Sequence, residues 1–159
     1  MATLIIMMGV PGSGKSTWTN LLAETYDATV VSRDDIRFSM VKEDEEYFSK
    51  ENEVFDTFTK TISWLLSQEV NVIADATHLN YGSRKKLLNA LTTKPTFTIV
   101  AHKDEKLETC LQRNNNRKGT RAYVPESVIR RMFYSQEKPT ADECNEYIRV
   151  FTGEENDNE

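Results

Sequence analysis

The sequence is poor in the residues that build metal clusters and covalent staples. Its 159 residues include two cysteines, Cys110 and Cys144, and two histidines, His78 and His102. The cysteines form no CxxC pair and no ligand cluster with the histidines, which argues against a zinc site or a disulfide framework. Long apolar runs are missing too. The N-terminal run Leu4 to Met8 has five residues and no basic region before it. That is too short for a signal peptide or a membrane span, so the expectation is a cytoplasmic protein without membrane association. No internal repeat and no Pro/Gly/Ser linker divides the chain.

An excess of positive charge is also lacking. Lys and Arg total 20 against 25 Asp and Glu, a net charge of −5, which argues against a generally basic coat for nucleic acid or membrane. The average conceals two acidic clusters, the four residues Glu43 to Glu46 and the tail acids Glu154, Glu155, Asp157 and Glu159. Without those eight acids the rest of the chain carries +3. Hydrophobic residues make up 38% and charged residues 28%, enough for a real core beneath a solvated surface. The length fits one domain, expected over residues 1–153, with 154–159 as an acidic, disordered tail. Nothing in the sequence implies an obligate protein partner.

Apolar runs alternate with amphipathic stretches. Thr3 to Met8 reads as a buried strand ending at Gly9, and Trp18, Leu21, Leu22 and Tyr26 follow at helical spacing. Ala28 to Val31 reads as a second strand. Val54, Phe55, Phe58, Ile62 and Leu65 mark the inner stripe of a longer helix, and Val70 to Ala74 a third strand ending at Asp75. Leu87, Leu88 and Leu91 mark another helix, and Phe97 to Ala101 a fourth strand. A charged helix is expected from Glu105 to Arg117, then a polar loop, a helix opened by Pro125, and a fifth strand at Tyr147 to Phe151. This alternation predicts an α/β fold, a central parallel sheet of about five strands flanked by helices on both faces. In such sheets ligands bind beyond the carboxyl ends of the strands.

After the first strand comes Gly9-Val10-Pro11-Gly12-Ser13-Gly14-Lys15-Ser16-Thr17, which satisfies GxxxxGK[ST] between a strand and an amphipathic helix. The glycines let the backbone turn so that several N–H groups point at one anion, and the helix N-terminus adds positive potential. Lys15 contributes a full charge, and Ser16 offers a hydroxyl to Mg²⁺. Gly12, Ser13, Gly14, Lys15, Ser16 and Thr17 are therefore the expected binding residues for a nucleoside triphosphate with Mg²⁺. The plain alternative is a glycine-rich turn without a ligand.

The second strand ends in Ser32-Arg33-Asp34-Asp35-Ile36-Arg37. A carboxylate here faces the phosphate loop, where an acceptor hydroxyl must lose its proton. Asp34 and Arg37 share a face if Asp34 opens a helical turn, and a base beside an anion-binding arginine suits a phosphate-bearing acceptor. The alternative is that one Asp caps the helix and the arginines are surface charges. Asp75, ending the third strand, is the candidate second acidic element, holding Mg²⁺ together with Ser16. His78 stays outside the catalytic set, since a loop histidine is commonly solvated or capping. Between Arg113 and Arg131 six basic residues face one acid, Glu126, a local net of +5. Arg113 and Arg117 lead into a loop-forming stretch that has the makings of a lid delivering an arginine to the transferred phosphoryl group. The alternative is a solvated charged face.

Together these pieces resemble the kinase domain of bacteriophage-type 5′-hydroxyl polynucleotide kinases, within the wider P-loop kinase group. The matching segments are Gly9 to Trp18 (GVPGSGKSTW), Ser32 to Arg37 (SRDDIR), Thr77 to Asn80 with Arg84, and Arg113-Asn114 through Gly119-Thr120 to Val124-Pro125. The resemblance spans the chain up to Phe151. It implies a P-loop kinase fold with a helical lid, ATP and Mg²⁺ as cofactors, and nucleic acid 5′ ends as substrate. By motif, Lys15 and Ser16 bind phosphate and metal, Asp34 is the general base, Arg37 steadies the acceptor's neighbouring phosphate, and Arg113 and Arg117 serve the nucleotide. The lid spacing is one residue longer than the family's, which leaves Arg117 and Lys118 as alternatives. No DxDx[TV] motif occurs, so no 3′-phosphatase activity is expected. Small-molecule kinases and zeta-type toxin kinases share part of the pattern. A kinase of a nucleoside, sugar or other small alcohol is thus the rival enzyme, and a non-catalytic nucleotide-binding module the rival of another class.

Overall fold

A computed structural model describes residues 2–152, so the tail expected at 154–159 lies outside the described residues. Five strands form one sheet in the order β2-β3-β1-β4-β5: β1 (Thr3–Met8), β2 (Ala28–Ser32), β3 (Asn71–Asp75), β4 (Phe97–Asp104) and β5 (Glu146–Phe151). Every pairing is parallel. Six helices connect them: α1 (Lys15–Thr25), α2 (Arg33–Met40), α3 (Glu51–Ser67), α4 (Tyr81–Ala90), α5 (Leu107–Asn115) and α6 (Glu126–Tyr134).

The apolar run of β1 follows from its place at the centre of the sheet. Leu4, Ile6 and Met8 pack with Phe58, Ile62 and Leu66 of α3 and Leu87 of α4, whereas Ile5 and Met7 pack with Leu22 of α1. A strand covered on both faces has no solvent side to alternate toward, so it reads as continuously hydrophobic. A third cluster, Val10, Leu79, Cys110 and Ile129, seats α5 and α6 against the phosphate loop.

Two elements depart from the sequence reading. β4 runs to Asp104 rather than ending at Ala101, because two of its polar residues are buried in the sheet. The His102 ring pairs with the Tyr147 hydroxyl at 2.7 Å and with Gln136 Oε1 at 3.1 Å, and Lys103 lies against the phosphate loop. α5 is shorter than the expected Glu105 to Arg117. Glu105 precedes it, with its carboxylate accepting from the Lys106 N–H at 3.0 Å, and Asn116 closes it. Among the described residues no helix is long and apolar enough to cross a membrane.

Candidate active site

Gly12 and Gly14 both take left-handed backbone, with φ of 86° and 90°. A Cβ on Gly12 would lie 2.5 Å from the Cys110 carbonyl oxygen, so only glycine lets α5 approach here. Gly14 begins α1 without any side-chain cap, and no acid lies in the first turn. The free N–H groups of that turn, which includes Ser16 and Thr17, therefore face outward with positive potential. The Ser13 hydroxyl is buried without a hydrogen-bond partner. An orphaned hydroxyl beside the uncapped N-terminus of α1 is a cradle that a polyphosphate would complete. The residues present fit a nucleotide.

Lys15 does not stand free. Its Nζ lies 2.5 Å from Asp75 Oδ1, so the cation expected to meet phosphate rests on the carboxylate expected to meet Mg²⁺. Both side chains are mostly covered, at 17% and 18% exposure. On the other flank, Arg113 donates to the Gly12 carbonyl at 3.1 Å. Lys103 approaches Gly14 beside it, where a Cβ would meet Arg113 Nη1 at 3.2 Å and Lys103 Cε at 3.6 Å. Glu105, buried between these cations, also accepts from the Thr152 hydroxyl. Burial pushes its carboxyl up, but the bonds from Thr152 and Lys106 and the cations Lys103 and Arg113 hold it below the usual range. Lys103 and Glu105 were not found by sequence reasoning, because β4 was expected to end before them.

Ser32 and Asp75 are register partners at the ends of β2 and β3, so Asp34 begins its helix directly beside the strand that presents Asp75. Neither aspartate caps α2. Ser32 does so, accepting from the Asp35 N–H at 3.2 Å, and both acids lie in the first turn, where the helix dipole favours them. Asp34 Oδ1 takes two donors, Arg37 Nη1 at 2.5 Å and the Tyr47 hydroxyl at 3.1 Å. Oδ2 carries no hydrogen bond among the described residues. Asp35 is exposed and makes no side-chain contact of this kind among the described residues.

Arg37 is buried, with 7% of its side chain exposed, at the centre of this group. Nε and Nη2 donate to the two oxygens of Glu51 at 3.0 and 2.6 Å, and Nη1 is shared by Asp34 and Tyr47. Burial opposes its charge, but the bond to Glu51 together with the influence of Tyr47 and Asp34 holds the guanidinium above its ordinary value. One Nη2 hydrogen has no partner among the described residues. Glu51 and Tyr47 carry no motif, so neither was legible in the sequence.

The lid arginines separate in space. Asn114 pins the base of the loop, donating to the Val124 carbonyl at 2.6 Å and accepting from its N–H at 3.0 Å. Arg121 docks the loop tip against the end of α2, donating to the Val41 carbonyl at 2.8 Å over the Phe38 ring at 4.5 Å. Arg113 holds the phosphate loop, and the Arg117 side chain has no hydrogen bond or ion pair among the described residues. A cavity of about 420 Å³ lies between this tip and the stretch after α2, lined by Lys42, Glu43, Glu45, Tyr47, Thr120 and Arg121 among others. His78 is buried, not solvated, with Nδ1 at 2.9 Å from the Met7 carbonyl. Arg84, also part of the family-like motif, is a buried structural cation bonded to Glu143, His78 and Glu137.

Fold and site together define a P-loop fold of the nucleotide-binding kind. The chain belongs to the AAA domain family AAA_33, whose pattern matches residues 4–139. It is similar to a chain of the Pnkp1/Rnl/Hen1 RNA repair complex, with 26% identity and a TM-score of 0.73, covering 84% of this chain. It spans only 43% of that chain's length. It also resembles a putative kinase from Chloroflexus aurantiacus, at 15% identity, a TM-score of 0.71, and 96% and 89% of the two chains. A sugar kinase from Janibacter sp. matches at 17% identity and a TM-score of 0.66, over 95% and 86%.

Proposed function

We propose that this protein transfers the γ-phosphoryl group of ATP to the 5′-hydroxyl end of DNA or RNA. The observation that carries the reading is Asp34, a carboxylate beside the phosphate loop with one oxygen anchored and the other open. A module that only binds nucleotide has no use for such a group. The 26% identity to a chain of an RNA repair complex supports a nucleic acid acceptor.

In this reading the loop amides, Ser13, Thr17, Lys15 and Arg113 hold the triphosphate. Ser16 and Asp75 would hold Mg²⁺, which would neutralise phosphate charge. Nucleotide binding draws Lys15 from Asp75 and frees both for these tasks. Asp34 takes the proton of the attacking hydroxyl, Arg37 steadies Asp34 and offers its remaining donor to the acceptor's neighbouring phosphate, and Arg117 meets the charge on the transferred group.

A small uncharged alcohol is the rival acceptor, since the cavity beside Tyr47 is lined by two acids and two bases, Glu43, Glu45, Lys42 and Arg121, and carries no net charge that would select a phosphate. Comparing a nucleoside with its 3′-phosphate separates the two. The proposal expects the 3′-phosphate to be far the better substrate, with Arg37→Ala erasing the preference. Equal transfer to both, in wild type and variant, would favour the rival.

A further inference from the structure

Asp34 is two-thirds exposed, with 64% of its side chain accessible, and sits in the first turn of a helix. Such a carboxylate rotates unless something fixes its plane. The fixing group comes from the irregular stretch between α2 and α3, 13 residues away in sequence. The Tyr47 hydroxyl accepts from Arg37 Nη1 at 3.0 Å and lies 3.1 Å from Asp34 Oδ1. Because the arginine can only donate, the single phenolic proton is directed to the carboxylate.

The ring is held as firmly as the hydroxyl. Its face carries the Arg37 guanidinium at 4.7 Å, and it meets Phe38 and Phe48 edge-on with centroids 6.2 and 4.6 Å away. Burial, together with the Asp34 charge, pushes the phenol above its ordinary value of 10.0, so it keeps the proton it donates.

We propose that Tyr47 is a positioning residue for proton abstraction: with Arg37 it locks Asp34 Oδ1 and thereby presents Oδ2 to the acceptor. This rests on the kinase reading of the same site. The acceptor O–H bond breaks and its proton passes to Oδ2. The oxygen lone pair forms the new bond to the γ-phosphorus as the bond to the ADP oxygen breaks, and the proton on Asp34 is later lost to water. Without the phenol, the carboxylate is held at one point and swings about it, so fewer complexes have Oδ2 in line with the hydroxyl.

Tyr47→Phe tests this, because it removes one oxygen and keeps the ring against Arg37, Phe38 and Phe48. The expected result is a kcat about 10-fold lower, with the KM values for acceptor and ATP within about twofold and an unchanged melting temperature. In an Asp34→Asn background, followed under single-turnover conditions with labelled ATP, Tyr47→Phe lowers the rate no further. An unchanged kcat, a loss confined to acceptor KM, or the same loss in both backgrounds would overturn the proposal. The acceptor used is whichever alcohol the wild-type protein phosphorylates. A wild type that prefers a sugar to a nucleic acid end defeats the functional reading and leaves this test intact. Transfer to no alcohol at all would defeat both.

Discussion

Asp34 and Asp35 are chemically identical neighbours that the helix turns in different directions. Asp34 meets Arg37 one turn on and Tyr47 from the following loop, whereas Asp35 contributes its N–H to Ser32 and points to solvent. Asp34→Asn should therefore slow phosphoryl transfer by about 10²–10⁴, the usual worth of a positioned base. Asp35→Asn should cost far less. Steady-state rates on the purified variants decide it, and equal losses would remove Asp34 from the role proposed for it. The pairing of Asp34 with Arg37 was available in the sequence through their three-residue spacing. Tyr47 and Glu51 were not, because their contact with Arg37 depends on the path of an irregular segment that no periodicity encodes.

Helices and strands show the same division between pattern and packing. The phosphate loop was legible because its chemistry demands glycine, lysine and a hydroxyl at fixed spacing. The end of β4 was hidden, since His102 and Lys103 look like surface residues until Tyr147, Gln136 and the loop around Gly14 are brought to them. Arg84 was legible as part of a motif but not in its role. It sits on α4 with 1% of its side chain exposed, and its Nε lies 2.7 Å from Glu143, itself 5% exposed. Nη1 and Nη2 bond the His78 and Glu137 carbonyls, so this one side chain ties α4 to the chain after β3 and after α6. Arg84→Leu strands the Glu143 carboxylate and two carbonyls. The expected loss is about 3–5 kcal/mol of folding stability, measured by urea denaturation. A loss under about 1 kcal/mol would show that the network is solvated rather than buried.

For the molecule as a whole, the parallel sheet places the ends of β1, β2, β3 and β4 along one edge, where the candidate site residues collect. Alternating apolar runs forecast this sheet correctly, because its central strand β1 is covered on both faces and is apolar along its buried length. The buried histidines give the fold a pH dependence. Burial, only partly offset by the bond to Met7, lowers His78 from an ordinary 6.5 to about 3, and burial also lowers His102. The unfolded chain thus takes up protons that the folded chain refuses, so stability should fall as pH drops below about 6.5 and continue falling toward about 3. The carboxyl groups of Glu51 and Glu143, held below their usual 4.5, add to the loss only at more acid pH. His78→Asn, which tolerates the left-handed backbone at φ 43°, should flatten the slope between pH 6.5 and 5 in thermal melts. An unchanged slope would mean that His78 does not report the transition.

The claim on which the account depends is transfer to a 5′-hydroxyl end. It is tested by incubating the protein with γ-labelled ATP and Mg²⁺ in the presence of 5′-hydroxyl oligonucleotides, free nucleosides and sugars, and separating the labelled products. The account predicts label at the 5′ end of oligonucleotides, little on nucleosides or sugars, and none when Lys15 is replaced by Ala. Label carried chiefly by a sugar or a free nucleoside, or transfer that survives Lys15→Ala, would contradict it.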